Sequence, residues 1–276
     1  MNEPKKKFKL VTDTQARIIL PNTLTLIGVC VGLSSINFAL NQRYDFAIIS
    51  ILFAAIIDGL DGRIARLIKG TSKVGKELDS LTDVISFGVA PAFIMYFWTL
   101  SSLGKIGWLI SLIYVVCVAL RLARFNISTG SEVSWKDNFF QGVPSPAGGI
   151  LVLTPLILDV SGLNFLNVKF EILAPYIFIF VSILLISKIP TYSMKKIVVP
   201  RSTTIFLLFS IVLLFGLLLI FTFEVLLVGC LVYIFLVPVS IYHYLRLKKN
   251  LQLLELLMMM SQKMFYNEKK SNSFSS

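Results

Sequence analysis

The chain has 276 residues, of which 56% are hydrophobic and only 15% charged. Soluble domains carry about 25% charged residues, so this composition excludes an ordinary soluble protein and reads as a polytopic membrane protein. The net charge of +11 suits nucleic acid, anionic lipid or membrane topology, and the placement of the charges decides among them.

Residues 1–20 open with a basic, polar stretch that has no small-residue cleavage site after it, which predicts a cytoplasmic N-terminal segment and not a cleaved signal peptide. A spanning helix needs about 20 mostly apolar residues. Eight candidates follow in order: Leu24–Leu40, Phe46–Ile68, Leu81–Leu100, Ile106–Arg124, Pro146–Val160, Ile172–Ile186, Thr203–Thr222 and Val225–Leu245, the fifth and sixth being short. The expected fold class is all-α, a transmembrane bundle of about eight spans. Residues 21–201 would form a six-span catalytic domain, 202–246 two further spans, and 247–276 a cytoplasmic tail. That tail is first amphipathic, suited to the membrane surface, and ends in a Ser/Asn stretch expected to be disordered.

With the N-terminus placed in the cytoplasm, alternate loops collect all but Arg43, Lys105 and Lys169 of the 26 basic residues on the cytoplasmic side. This satisfies the positive-inside rule with both termini in the cytoplasm. It assigns the net charge to topology and anionic lipid heads and leaves no call for nucleic acid. Cys30, Cys117 and Cys230 lie in apolar runs without metal or disulfide spacing, so they read as packing residues.

Acidic residues near membrane helices are costly and mark function. Asp58 and Asp61 are i, i+3, and Asp79 and Asp83 are i, i+4, so each pair shares a helix face. The short connection between them lays the helices antiparallel, and the four carboxylates converge. Such a cluster needs compensation; one or two divalent ions supply it, and hard oxygen ligands favour Mg2+ or Mn2+. The alternative is an ion-pair network with Arg63, Arg66, Lys73 and Lys76. Gly62 and Ala65 fall on the face of Asp58 and Asp61 and leave room for a flat ligand; Arg66, Thr71 and Ser72 offer groups to a phosphate.

The segment from Asp58 to Asp83 resembles the signature of the CDP-alcohol phosphotransferases, D-x2-D-G-x2-A-R-x8-G-x3-D-x3-D, at all eight fixed positions. The resemblance implies a helical membrane bundle with a metal site at the cytoplasmic surface. It implies Asp58, Asp61 and Asp79 as metal ligands and Asp83 as general base that also touches the second metal. Gly62, Ala65 and Arg66 would line the CDP-diacylglycerol pocket, with Ser72 at a phosphate. Asn22 and Thr25, in Pro21-Asn22-Thr23-Leu24-Thr25, resemble the family's other nucleotide contact. A homodimer is the common family form.

Three other segments bear on the acceptor: Arg121-Leu122-Ala123-Arg124-Phe125-Asn126, Phe139 to Gly149, and Ser187 to Ser193. Arg121 and Arg124 are i, i+3; they suit either a carboxylate clamp or anchoring at the membrane edge. Together these segments are similar to those of the family's membrane-embedded bacterial phosphatidylserine synthase branch. This implies L-serine as acceptor, with Arg121, Arg124 and Asn126 as candidates to hold it, in a bacterial inner membrane. Rival readings are another acceptor, such as glycerol 3-phosphate or choline, and a cation transporter, which would instead string carboxylates along a path in mid-membrane.

Overall fold

A computed structural model describes residues 14–68, 70, 72–128, 139–162, 170–192 and 204–273. Segment 1–13, Lys69, Thr71, Lys169, Ser193 and residues 274–276, all used above, lie outside the described residues. The helices are α1 (Thr14–Leu40), α2 (Tyr44–Leu67), α3 (Lys73–Asp83), α4 (Ala90–Trp98), α5 (Lys105–Ser128), α6 (Ser145–Val152), α7 (Thr154–Val160), α8 (Ala174–Ile186), α9 (Thr204–Ile220) and α10 (Thr222–Ser273). The expected helical bundle is present. The departure among the described residues is a two-stranded antiparallel ribbon, β1 (Phe139–Gln141) with β2 (Pro190–Tyr192), in register Phe140 to Thr191. It joins two of the segments singled out for the acceptor.

The chain is an integral membrane protein with several apolar helices. Ile19–Leu40, Lys73–Trp98, Lys105–Ile127 and Thr222–Lys249 are long and apolar enough to cross a membrane, while Phe170–Ile186 and Ile205–Ile220 are apolar but shorter. Helix α9 exposes almost every large apolar side chain from Ile205 to Ile220, as a lipid-facing helix does. The backbone of the tail continues α10 to Ser273 as one helix.

Prolines set two breaks that shape the interior. Pro91 has no N–H, and its ring crowds the carbonyl four residues earlier. That carbonyl belongs to Phe87, inside a wide π-turn, Val84–Val89, that joins α3 to α4. The fully buried Tyr114 of α5 donates its hydroxyl to the Phe87 oxygen at 2.7 Å, so the carbonyl that the helix gives up is satisfied. Pro155 repeats the pattern: Thr154 donates to the Leu151 carbonyl at 2.7 Å where α6 gives way to α7.

The π-turn follows directly on Asp83 and is gripped from three sides. A Cβ on Gly32 of α1 would lie 2.5 Å from Ser86 Oγ and 3.1 Å from Ser86 Cα. One on Gly149 of α6 would meet the Phe87 backbone at 3.2 Å, and Gly88 itself rests on Val118 of α5. Small residues at these crossings let the helices approach closely, as membrane packing requires. Gly32→Val should therefore lower the thermal midpoint of the detergent-solubilised protein, by an overpacking cost of about 1–3 kcal/mol. Gly216→Val, where a Cβ meets nothing within 4 Å, should leave it unchanged; equal midpoints for the two variants would refute the packing account.

Candidate metal and nucleotide site

Helices α1, α2 and α3 build the site. The α1–α2 hairpin is the most extensive helix pair in the molecule, and it sets Asn22 and Thr25 against the last turns of α2. Ser72 caps α3: its hydroxyl oxygen accepts from the Gly75 N–H at 2.9 Å, the usual way a helix start satisfies its first donors. Gly75 has to be small, because a Cβ there would stand 2.7 Å from Asn22 Oδ1. These contacts hold α3 against α1, the same helix that packs on α2.

One carboxylate oxygen each from Asp58, Asp61 and Asp79 comes within 4.8 Å of the other two. Asp61 is 3% exposed. Its Oδ2 accepts the Thr25 hydroxyl at 2.7 Å, whereas its Oδ1 is buried without a partner. Asp58 and Asp83 lie within hydrogen-bonding reach of each other, and Asp83 Oδ1 is a second buried, unpartnered oxygen. Arg43 and Asp45 form an ion pair at the opposite end of α2. Arg66 turns back on its own helix, with Nε donating to the Gly62 carbonyl at 2.9 Å. An ion-pair network with Arg63, Arg66 and Lys73 is therefore not what holds the four aspartates.

Hard carboxylate oxygens that converge, one of them buried without a donor, are a ligand set for a divalent cation, so the cluster fits a metal ion. Three of the four predicted aspartates form the tight group. Asp83 stands behind it, next to Asp58 and toward Arg121.

A cleft of about 490 Å³ opens in front of the cluster, lined by Asn22, Thr25, Asp61, Gly62, Ala65, Arg66, Ser72 and Asp79 among others. Every residue predicted for the nucleotide lines it except Asp58. A Cβ on Gly62 would touch nothing within 4 Å, so this wall is flat and open. Phe125 and Lys76 also line the cleft. Sequence reasoning did not give Phe125 this place; its position after Arg124 in the arginine segment was the available signal.

The three acceptor candidates separate. Arg121 is buried, 7% exposed, with its guanidinium near Asp83 and Asp58 and NH1 donating to Ser145 Oγ at the start of α6. Arg124 donates to the last carbonyls of α8, at 2.7 Å to Ile186 and 3.4 Å to Leu185, which is how a cation caps a helix C-terminus. Asn126 donates to Ser80 Oγ of α3 at 2.9 Å. Gly142 needs its left-handed φ of 78°, and a Cβ there would lie 2.8 Å from the Leu185 carbonyl. The arginine motif, the ribbon and the end of α8 thus gather at the aspartate end of the bundle.

Comparison with known proteins agrees with this arrangement. The profile of the CDP-alcohol phosphatidyltransferase family matches residues 18–237. A CDP-diacylglycerol–serine O-phosphatidyltransferase of Mycobacterium leprae is 43% identical over 188 residues, covering 66% of this chain and 61% of that one. One from Helicobacter pylori is 39% identical over 179 residues, covering 65% and 74%. An archaetidylserine synthase of Methanothermobacter thermautotrophicus is 34% identical over 177 residues, covering 62% and 69%. The matched stretch thus spans less than two thirds of the mycobacterial relative's length. The family match runs from the first helix into the last and contains the aspartates that the fold draws together; on that ground the chain belongs to the CDP-alcohol phosphatidyltransferase family.

Proposed function

We propose that the protein transfers the phosphatidyl group of CDP-diacylglycerol to the hydroxyl of L-serine, giving phosphatidylserine and CMP. The observation that carries the reading is the convergence of Asp58, Asp61 and Asp79 beside the cleft, in a chain whose relatives are serine phosphatidyltransferases by name.

A divalent cation at these carboxylates, Mg2+ or Mn2+ and in this reading two with Asp83 touching the second, supplies charge neutralisation for the pyrophosphate and the leaving CMP oxygen. The nucleotide lies along Gly62 and Ala65, with Asn22 and Thr25 opposite. Ser72 accepts from Gly75 and keeps its own O–H for a phosphate oxygen, and Arg66 adds charge at the same rim. Thr25 fixes the Asp61 carboxylate so that Oδ1 faces the cluster. Asp83 takes the proton of the serine hydroxyl as its oxygen bonds to phosphorus and the bond from phosphorus to the CMP oxygen breaks. Arg121 faces the acceptor's carboxylate; Arg124 and Asn126 hold α8 and α3 around that pocket. The charge distribution supports eight spans with both termini and the site in the cytoplasm. The bacterial relatives support a bacterial inner membrane, and family resemblance supports a homodimer.

Membranes supplied with CDP-diacylglycerol, Mn2+ and labelled acceptors should incorporate L-serine into lipid and not glycerol 3-phosphate; no lipid product from serine sinks the assignment. Asp83→Asn should lower kcat about 10²–10⁴-fold, the usual weight of a general base, with CDP-diacylglycerol binding retained; undiminished CMP release would remove Asp83 from that role. Chelation with EDTA should abolish activity and added Mn2+ or Mg2+ restore it. Asp61→Asn should raise the metal concentration needed for half-activation, whereas an enzyme indifferent to EDTA would dismiss the metal site.

A further inference from the structure

Among the described residues, five buried side-chain polar atoms have no hydrogen-bond partner. Three belong to side chains gathered around Arg121: Asp83 Oδ1, Arg121 Nε itself and the Tyr233 hydroxyl. Tyr233 comes from α10. It follows Leu226 and Cys230 at helical spacing, and both are buried in the core. Helix α10 packs against α7 and β2, which brings the Tyr233 hydroxyl near Arg121 and within reach of the Thr191 hydroxyl, although the two do not meet hydrogen-bond geometry. Thr191 gives its own proton to the Gly142 carbonyl at 2.8 Å. Arg121 has NH1 engaged by Ser145, so Nε is the edge it presents. Asp83 and Asp58 lie nearby, yet neither forms an ion pair with it.

Two adjoining donors, one on a permanent cation and both withdrawn from water, call for an anion with two oxygens. A carboxylate takes one hydrogen bond from each. The unpartnered Asp83 oxygen supplies the complementary acceptor for a hydroxyl. A ligand with a hydroxyl at one end and a carboxylate two carbons away meets all three groups, and serine is such a molecule.

Resting on the serine reading, we propose that Tyr233 is a specificity-determining residue: its hydroxyl is the second donor, beside Arg121 Nε, to the acceptor's carboxylate. The last helix then completes the acceptor pocket of a site whose metal and nucleotide parts come from α1 to α3.

The test uses the purified full chain with CDP-diacylglycerol and Mn2+, and compares L-serine with L-serinamide, which keeps the hydroxyl and amine but lacks the negative charge. Tyr233→Phe should raise KM for L-serine about tenfold, the effect of losing one hydrogen bond to a charged group. It should hold kcat within about threefold, leave KM for CDP-diacylglycerol unchanged, and match the parent enzyme on L-serinamide. A serine KM unchanged in Tyr233→Phe overturns the proposal. So does an equal rise for L-serinamide, which would report packing alone. A parent enzyme that makes no lipid from L-serine overturns the acceptor reading itself and Tyr233 with it, whereas an active parent with a silent variant removes only Tyr233.

Discussion

Backbone has to touch backbone at the centre of this bundle, and the site exists because it does. Asp83 precedes a π-turn whose residues are packed by Gly32 from α1, Gly149 from α6 and Val118 from α5. A side chain at any of these crossings would push apart the helices that carry the aspartates. Pro91 provokes the wide turn, and Tyr114 makes it tolerable by capping the released Phe87 carbonyl. The wide turn costs one regular helical hydrogen bond and yields a fixed place for the carboxylate just before it. Wide turns of this sort recur at functional sites for the same reason.

The electrostatics follow from that packing. At this end of the bundle carboxylates outnumber buried cations among the described residues: Asp58, Asp61, Asp79 and Asp83 converge, and Arg121 is the buried guanidinium among them. Burial without compensation is expensive, and the orphaned oxygens of Asp61 and Asp83 are where a bound cation would supply it. The two sides of the cluster differ in kind. Toward the cleft the walls are glycine, alanine and hydroxyl groups with room for a flat nucleotide. Behind it the surroundings are tight and offer a few directed donors, which suits a small acceptor.

Much of this was legible from spacing. The i, i+3 and i, i+4 aspartates announced two facing pairs because helical period is local information, and the small residues at 62 and 65 announced an open wall for the same reason. Spans were legible as apolar stretches, although α2 carries its charges through its last turns and 145–160 breaks at Pro155, so length alone does not establish each as a crossing. The departures are all long-range. Nothing local separates Arg121 from Arg124, since both sit on one face; partners on α6 and α8 send one to the interior and the other to a helix end. The pairing of β1 with β2 joins segments about fifty residues apart. Tyr233 hides in an apolar run, where a phenol is indistinguishable from its neighbours until the fold shows where its tip ends.

The engagement of Arg124 with the α8 carbonyls has a consequence for selectivity by charge. A guanidinium that neutralises a helix end has its donors directed at that end and offers a substrate little. Among the described residues, Arg121 is the positive side chain set beside Asp83, and it faces two carboxylates, Asp83 and Asp58. A singly charged acceptor matches that inventory. On the serine reading proposed above, a phosphate dianion would bring an extra negative charge beside Asp58 and Asp83, so selection against it would rest on repulsion as much as on the donors the pocket offers.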